Sequence, residues 1–169
     1  MPPRQEPKGP VRFPAVSAAL GAPRRTSAQQ GSGRVRTGAR VSSAQVSAED
    51  AVFWIVNEIR KKAGLSRLVS DERLRAAARS HSRDMARRRF CAHVNPDGVT
   101  PEQRMRAAGF PNPGGENVAY GQETPHAVMT AWMESPGHRA NILNPEFATI
   151  GVGVEFGAGG PHWTQNFGY

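Results

Sequence analysis

The fold turns on two segments, Ile150-Gly151-Val152-Gly153-Val154-Glu155-Phe156 and, beyond the glycine-rich turn over 157–161, Trp163-Thr164-Gln165-Asn166-Phe167-Gly168-Tyr169. In the first, large apolar side chains alternate with Gly151, Gly153 and Glu155; in the second, Trp163, Gln165, Phe167 and Tyr169 share one face. That two-residue period belongs to strands. Two such runs joined by a short Gly/Pro turn predict an antiparallel hairpin. Gly151 and Gly153 leave one face of the first strand nearly flat, which suits close approach of a helix or another backbone.

Upstream the period changes to that of helices. Ser47 with Asp50 three residues later resembles a capping box, and Val52, Ile55, Val56, Ile59 and Ala63 follow at helical spacing, predicting a helix over 48–63. Ser70 opens a second helix with Asp71 and Glu72 in its first turn and an inward stripe of Leu74, Ala77, Ala78, His81 and Met85. A short third helix starts at Thr100-Pro101 with Gln103 completing the cap, and a fourth starts at Thr124-Pro125 and carries Val128, Met129 and Trp132 until Pro136. Ser135 is placed to cap a further short helix from Pro136 to Leu143. Helices on both sides of a small antiparallel sheet define an α+β sandwich.

Charge separates the chain into two parts. The 169 residues carry 22 Lys+Arg and 14 Asp+Glu, a net +8 with a sequence pI near 10.9. Residues 1–48 hold eight basic groups and one acid, so +7 of the excess lies there, together with 11 Gly or Pro and only seven Leu, Ile, Val or Phe. Such a composition buries too little apolar surface to offset chain entropy, so 1–47 is expected to be a disordered basic tail ahead of a domain over 48–169. A targeting segment is a second reading of 1–47, but the modestly apolar stretch 13–22 contains Pro14, and Arg24-Arg25 follow it rather than precede it. Within the domain, residues 60–89 carry 11 basic and three acidic groups, whereas 90–169 carry three basic and seven acidic. A basic helical run without interleaved exposed aromatics reads as a solvated face, which makes nucleic acid an unlikely partner. One cysteine, Cys91, excludes an internal disulfide framework, and no run approaches a membrane span.

Polar residues gather in segments that the periodic pattern leaves unclaimed, namely His93, Glu116 in Gly-Gly-Glu-Asn-Val-Ala, and Glu134 and His138 in Trp-Met-Glu-Ser-Pro-Gly-His-Arg. Imidazoles and carboxylates at loop ends are raw material for a site. The order His93, Gly115-Glu116-Asn117-Val118-Ala119, Trp132, Ser135-Pro136-Gly137-His138-Arg139-Ala140-Asn141-Ile142-Leu143, Gly151-Val152-Gly153 and Trp163-Thr-Gln-Asn-Phe resembles the CAP superfamily. That superfamily unites cysteine-rich secretory, antigen 5 and pathogenesis-related 1 proteins, and the likeness is to its short bacterial, disulfide-free branch.

The resemblance implies a three-layer α-β-α sandwich, extracellular placement, and a cleft lined by two histidines and two acids. His93, Glu116 and His138 fall on three of those positions. The fourth departs: the expected acid position here is Ser135, and Glu134 lies one residue earlier, a rotation of about 100° on a helix. Two neutral imidazoles, His93 and His138, with one or two carboxylates could hold zinc or another divalent cation, and such binding would weaken below about pH 6. Against this stands a closed polar network in which Glu116 accepts bonds from its neighbours. The implied function is a secreted binding module for a lipid, sterol, cell-wall or surface ligand. The alternative is a metal-assisted hydrolase with Glu116 as base. A Ser135–His138 hydrolase lacks a Gly-x-Ser-x-Gly elbow, and no His-Glu-x-x-His is present. Cys91 reads as a small core residue, His81 as a hydrogen-bonded buried histidine, and Arg139 as a salt-bridge partner or an anion clamp.

Overall fold

The computed structural model describes residues 41–157 and 159–169. The expected basic tail and targeting segment therefore lie, up to residue 40, outside the described residues. Along the chain run α1 (Ser43–Lys62), β1 (Val69–Ser70), α2 (Glu72–Arg88), α3 (Pro101–Ala107), β2 (Pro113–Tyr120), α4 (Pro125–Glu134), α5 (Pro136–Ile142), β3 (Thr149–Gly157) and β4 (Gly160–Gly168).

The predicted hairpin is the centre of the sheet. β3 and β4 pair antiparallel from Thr149↔Gly168 to Gly157↔Gly160, and the strand order is β1-β3-β4-β2. The sheet is mixed rather than purely antiparallel, because the two-residue β1 runs parallel to β3. β2 pairs antiparallel with β4 and carries a register shift between Pro113 and Glu116. Glu116 therefore stands on a strand, not at a loop end.

Helices cover both faces, giving the α-β-α sandwich. Ile150, Val152, Val154, Trp163 and Phe167 meet Val52 and Val56 of α1, Val128, Met129 and Trp132 of α4 and Ile142 of α5 in one buried cluster. The opposite face receives α2. A Cβ on Gly151 would lie 2.1 Å from the Arg75 nitrogen, and one on Gly153 would lie 2.3 Å from the Arg79 nitrogen, so the flat face admits the α2 backbone itself. Ser82 Oγ donates to Gly153 O at 3.1 Å and Asn166 Nδ2 to Leu74 O at 3.2 Å across that contact. Leu74 and Ala77 then pack with Met105 and Phe110, which seats α3 beside α2.

Helix α1 starts at Ser43, five residues ahead of its expected start. Its capping box is Ser42 with Gln45, not Ser47 with Asp50. The earlier turn is held by tertiary bonds: Gln45 Nε2 donates to Val154 O at 2.9 Å, and the fully buried Glu49 takes Arg79. In α2 the cap is Asp71, one residue after the expected Ser70, with its side chain accepting from Arg73 N and Leu74 N. The Thr100 and Thr124 caps, each followed by proline, stand as expected. The two core tryptophans satisfy their indoles on Val118 O and Gln122 O.

Candidate functional site

Glu116 is the centre of the site because β2 places it opposite Asn166 with its side chain only 2% exposed. A buried carboxylate needs partners for both oxygens. Oε1 lies 2.9 Å from His93 Nδ1, and Oε2 accepts from Arg104 Nη2 at 2.8 Å. Arg104 projects from α3 and also donates to Val99 O and His93 O, at 2.9 and 2.8 Å, so it ties the His93 loop to the strand. With Glu116 accepting from both neighbours, the His93 ring carries its proton on Nδ1 and keeps Nε2 as its remaining nitrogen. The His93 side chain is half exposed.

His138 enters from α5, which is fastened to β2 by a chain of amides. Asn117 Nδ2 donates to His138 O at 3.1 Å and to Gln165 Oε1 at 3.1 Å. Asn141 Nδ2 donates to Glu116 O at 3.2 Å and to Asn117 Oδ1 at 2.9 Å. Together with the Trp132 indole on Val118 O, these bonds also occupy outward carbonyls of an edge strand that would otherwise be open to another chain. Burial first, and His93 nearby second, hold the His138 pKa below its ordinary value.

His81 lies under the same region, buried, with Nε2 2.9 Å from Ala92 O, as its place on the α2 stripe suggested. Burial lowers its pKa most strongly, and burial likewise lowers that of His162. The Cys91 thiol is pushed up to about 11 by burial and by Glu116, so it stays protonated and is no nucleophile. Because His81, His138 and His162 titrate lower in the folded chain than at their ordinary 6.5, the unfolded chain takes up protons first on acidification. Stability is therefore full above pH 6.5 and declines as the pH falls through the lowered folded values. Thermal unfolding at pH 5 should occur on the order of 5 °C below that at pH 7.5, and an unchanged or higher midpoint would contradict the burial of these rings.

Other expected members lie elsewhere. Glu134 ends α4 exposed and lines a groove between α1 and α4 with Ile55 and Ile59, a lining that includes neither His93 nor His138. The one-residue shift on a helix is the reason. Ser135 sits at the N-cap of α5, but its hydroxyl makes no cap bond and, among the described residues, no bond to His138. Arg139 is exposed in the last turn of α5 and enters no ion pair among the described residues. Arg104, Asn117 and Asn141 were not anticipated as site residues. The two asparagines stand inside the quoted motifs, where an Asn beside Glu116 and another three residues after His138 were the available signal.

A structural or catalytic zinc centre would need more free donors than His93 and His138. Such centres use four or three protein ligands. Here the Glu116 carboxylate is engaged by His93 and Arg104, and no group of three or more His, Cys, Asp or Glu suited to a metal occurs among the described residues.

The α1/α4 groove is the more apolar concavity. Ile55, Ile59, Met129 and Met133 line a volume of about 290 Å³, with His126, Thr130 and Glu134 at its polar side. No helix among the described residues is long and apolar enough to cross a membrane.

An α-β-α sandwich with His93 bonded to a buried Glu116 at one sheet edge is the arrangement of a CAP-type domain. The sequence profile of the cysteine-rich secretory protein family (CAP) matches residues 53–167, and the chain belongs to that family. It is 45% identical over 121 residues, 70% of this chain, to the uncharacterized protein YkwD of Bacillus subtilis, and 32% identical over 124 residues, 73% of this chain, to the uncharacterized membrane protein YlbC of the same organism. The chain spans less than half of either relative, 46% and 35% of their lengths. Among solved structures it is similar to an extracellular protein with an SCP domain from Bacillus anthracis, with TM-score 0.70 and 28% identity over 78% of this chain and 45% of that one. An outer surface protein of Borrelia burgdorferi shares the fold, with TM-score 0.68 and 24% identity over 78% of this chain and 98% of that one.

Proposed function

We propose that this CAP domain is a binding module that works outside the cell and takes a small hydrophobic ligand in the groove between α1 and α4. The observation carrying this reading is the apolar lining of Ile55, Ile59, Met129 and Met133, with polar groups confined to one side. A cavity near 290 Å³ is at the lower end of small-molecule sites, which run about 300–1,000 Å³, and suits an acyl chain or a ring system. Burying each further methylene there would contribute about 0.8 kcal/mol. The polar side would hold a headgroup or hydroxyl.

In this reading the His93–Glu116–Arg104 cluster is a clasp that positions the loop, β2 and α3. A hydrolase using Glu116 as base would first have to break two bonds to a buried carboxylate, which disfavours it. The test is fluorescence titration with cis-parinaric acid. Thr130→Trp, an exposed position that would fill the groove, should weaken binding by at least about ten-fold, while His93→Ala and excess chelator should leave it unchanged. Unchanged binding in Thr130→Trp, or its loss with chelator, would overturn the reading.

A further inference from the structure

The groove between α1 and α4 contains one side chain whose polarity chemistry can change. Met85, Met105 and Met129 are 0%, 1% and 2% exposed, whereas Met133 is half-buried, packed against the core cluster yet lining the groove. The other half-buried apolar walls, Ile55 and Ile59, are hydrocarbon and offer a peroxide nothing to attack.

The remaining sulfurs are shielded. Met129 lines the same groove, but burial and a hydrogen bond from Gln165 Nε2 to its sulfur at 3.4 Å both cover it. Cys91, the single cysteine, is largely buried away from solvent and stays a protonated thiol, a poor reductant of peroxide. Among the described residues, Met133 is therefore the methionine whose sulfur an oxidant in solution reaches most readily, and it stands on the wall that a ligand would touch.

We infer that Met133 is a reversible oxidation site that gates this groove, with hydrogen peroxide or an organic hydroperoxide converting its thioether to the sulfoxide and lowering the affinity for a hydrophobic ligand. In that step the sulfur attacks one peroxide oxygen and an S–O bond forms as the O–O bond breaks. Sulfur gives up two electrons, and the departing oxygen takes the proton and leaves as water or an alcohol. The product is a polar, strongly accepting group on a wall that otherwise supplies apolar surface. An acyl chain entering the oxidised groove would strip water from that oxygen without replacing its hydrogen bonds. The inference rests on the ligand reading of the groove given above.

The test treats the full chain with hydrogen peroxide, removes the peroxide, and then combines peptide mass mapping with titration by cis-parinaric acid. Met133 should oxidise about ten-fold or more faster than Met85, Met105 and Met129, and the oxidised protein should bind about ten-fold or more weakly than the untreated one. Repair by methionine sulfoxide reductases acting on both sulfoxide epimers should restore binding. In Met133→Leu, whatever its starting affinity, binding before and after peroxide should be equal, because the oxidisable sulfur is gone. Met133→Gln, which places a permanent amide there, should bind weakly without any peroxide. Should either variant fail to fold, oxidation and repair of the natural chain still decide. Oxidation spread evenly over the four methionines, or an oxidised protein that binds as well as the untreated one, would overturn this inference alone. Failure of the untreated protein to bind would instead overturn the ligand reading, and this inference with it.

Discussion

Gly151→Ala and Gly153→Ala are each expected to destabilise the domain by about 3 kcal/mol or more, at or beyond the upper end of ordinary overpacking. The reason is what the new methyl group meets. At Gly151 it would lie 2.1 Å from Arg75 N and 2.2 Å from Leu74 C, and at Gly153 2.3 Å from Arg79 N and 2.4 Å from Ala78 C. These are backbone atoms of a helix, which cannot rotate aside as a side chain would. Relief would require α2 to lift from β3, breaking the Ser82 and Asn166 bonds and opening the Leu74 contact with Met105 and Phe110. Gly137 offers a control, since a methyl group added to it on exposed α5 would meet nothing within 4 Å among the described residues. Gly137→Ala should be neutral or stabilising by about 0.5 kcal/mol. Chemical denaturation of the three variants measures this, and a loss below about 1 kcal/mol at 151 or 153 would mean that α2 does not sit backbone-to-backbone on the sheet.

The second large effect is expected at Arg60. Its side chain is fully buried, and its partners are carbonyls rather than acids: Ser66 O at 2.8 Å, Ile142 O at 2.9 Å, Asn144 O at 2.8 Å and Phe147 O at 3.4 Å. Burial lowers its pKa, yet a guanidinium remains charged, and the C-terminal carbonyls of α5 supply the compensating dipoles. Arg60→Met keeps most of the apolar stem and removes every donor. Four carbonyls then lose a partner, those of Ile142 and Phe147 in buried surroundings and those of Ser66 and Asn144 nearer solvent, so a loss of about 3 kcal/mol is expected. Arg60→Lys, with a compact ammonium unable to span the four oxygens, should fall between. Because α5 carries His138 and Asn141, amide exchange in 136–148 should rise first in Arg60→Met. A variant with wild-type stability and unchanged exchange there would refute the role assigned to Arg60.

These two sites also show where the sequence was legible. The β3/β4 hairpin and the flat face at Gly151 and Gly153 follow from strict alternation, which only strands share. Thr100-Pro101 and Thr124-Pro125 mark helix starts because the cap and the proline both act locally. Arg60 and Glu49 were not legible, since a helical stripe is read from apolar residues, whereas these charges are buried by partners distant in sequence. Those same contacts moved the start of α1 back to Ser43, where Gln45 reaches Val154 and Glu49 reaches Arg79. β2 escaped notice for a different reason. Pro113-Gly-Gly-Glu-Asn lacks apolar alternation, and the strand is defined by β4 on one side and by Asn141 and Trp132 on the other.

The site divides similarly. His93, Glu116 and His138 were picked out from the order of their motifs; in the structure His93 bonds to Glu116, and α5 holds His138 through its carbonyl on Asn117. Arg104 was not, because a single arginine on a seven-residue helix gives no local sign that it will complete a carboxylate's bonding. Its presence changes the chemistry expected of the cluster from an open pair of acids to a closed bridge. Glu134, displaced by one residue, became a wall of the groove instead.

The claim that the α1/α4 groove is the ligand site is tested most directly by photo-crosslinking with a diazirine-bearing fatty acid, followed by mapping of the labelled peptides. The account predicts adducts on the segments containing Ile55 and Ile59 and on Met129 to Glu134, suppressed by unlabelled fatty acid. Adducts concentrated instead around His93, Glu116 and His138 would contradict it.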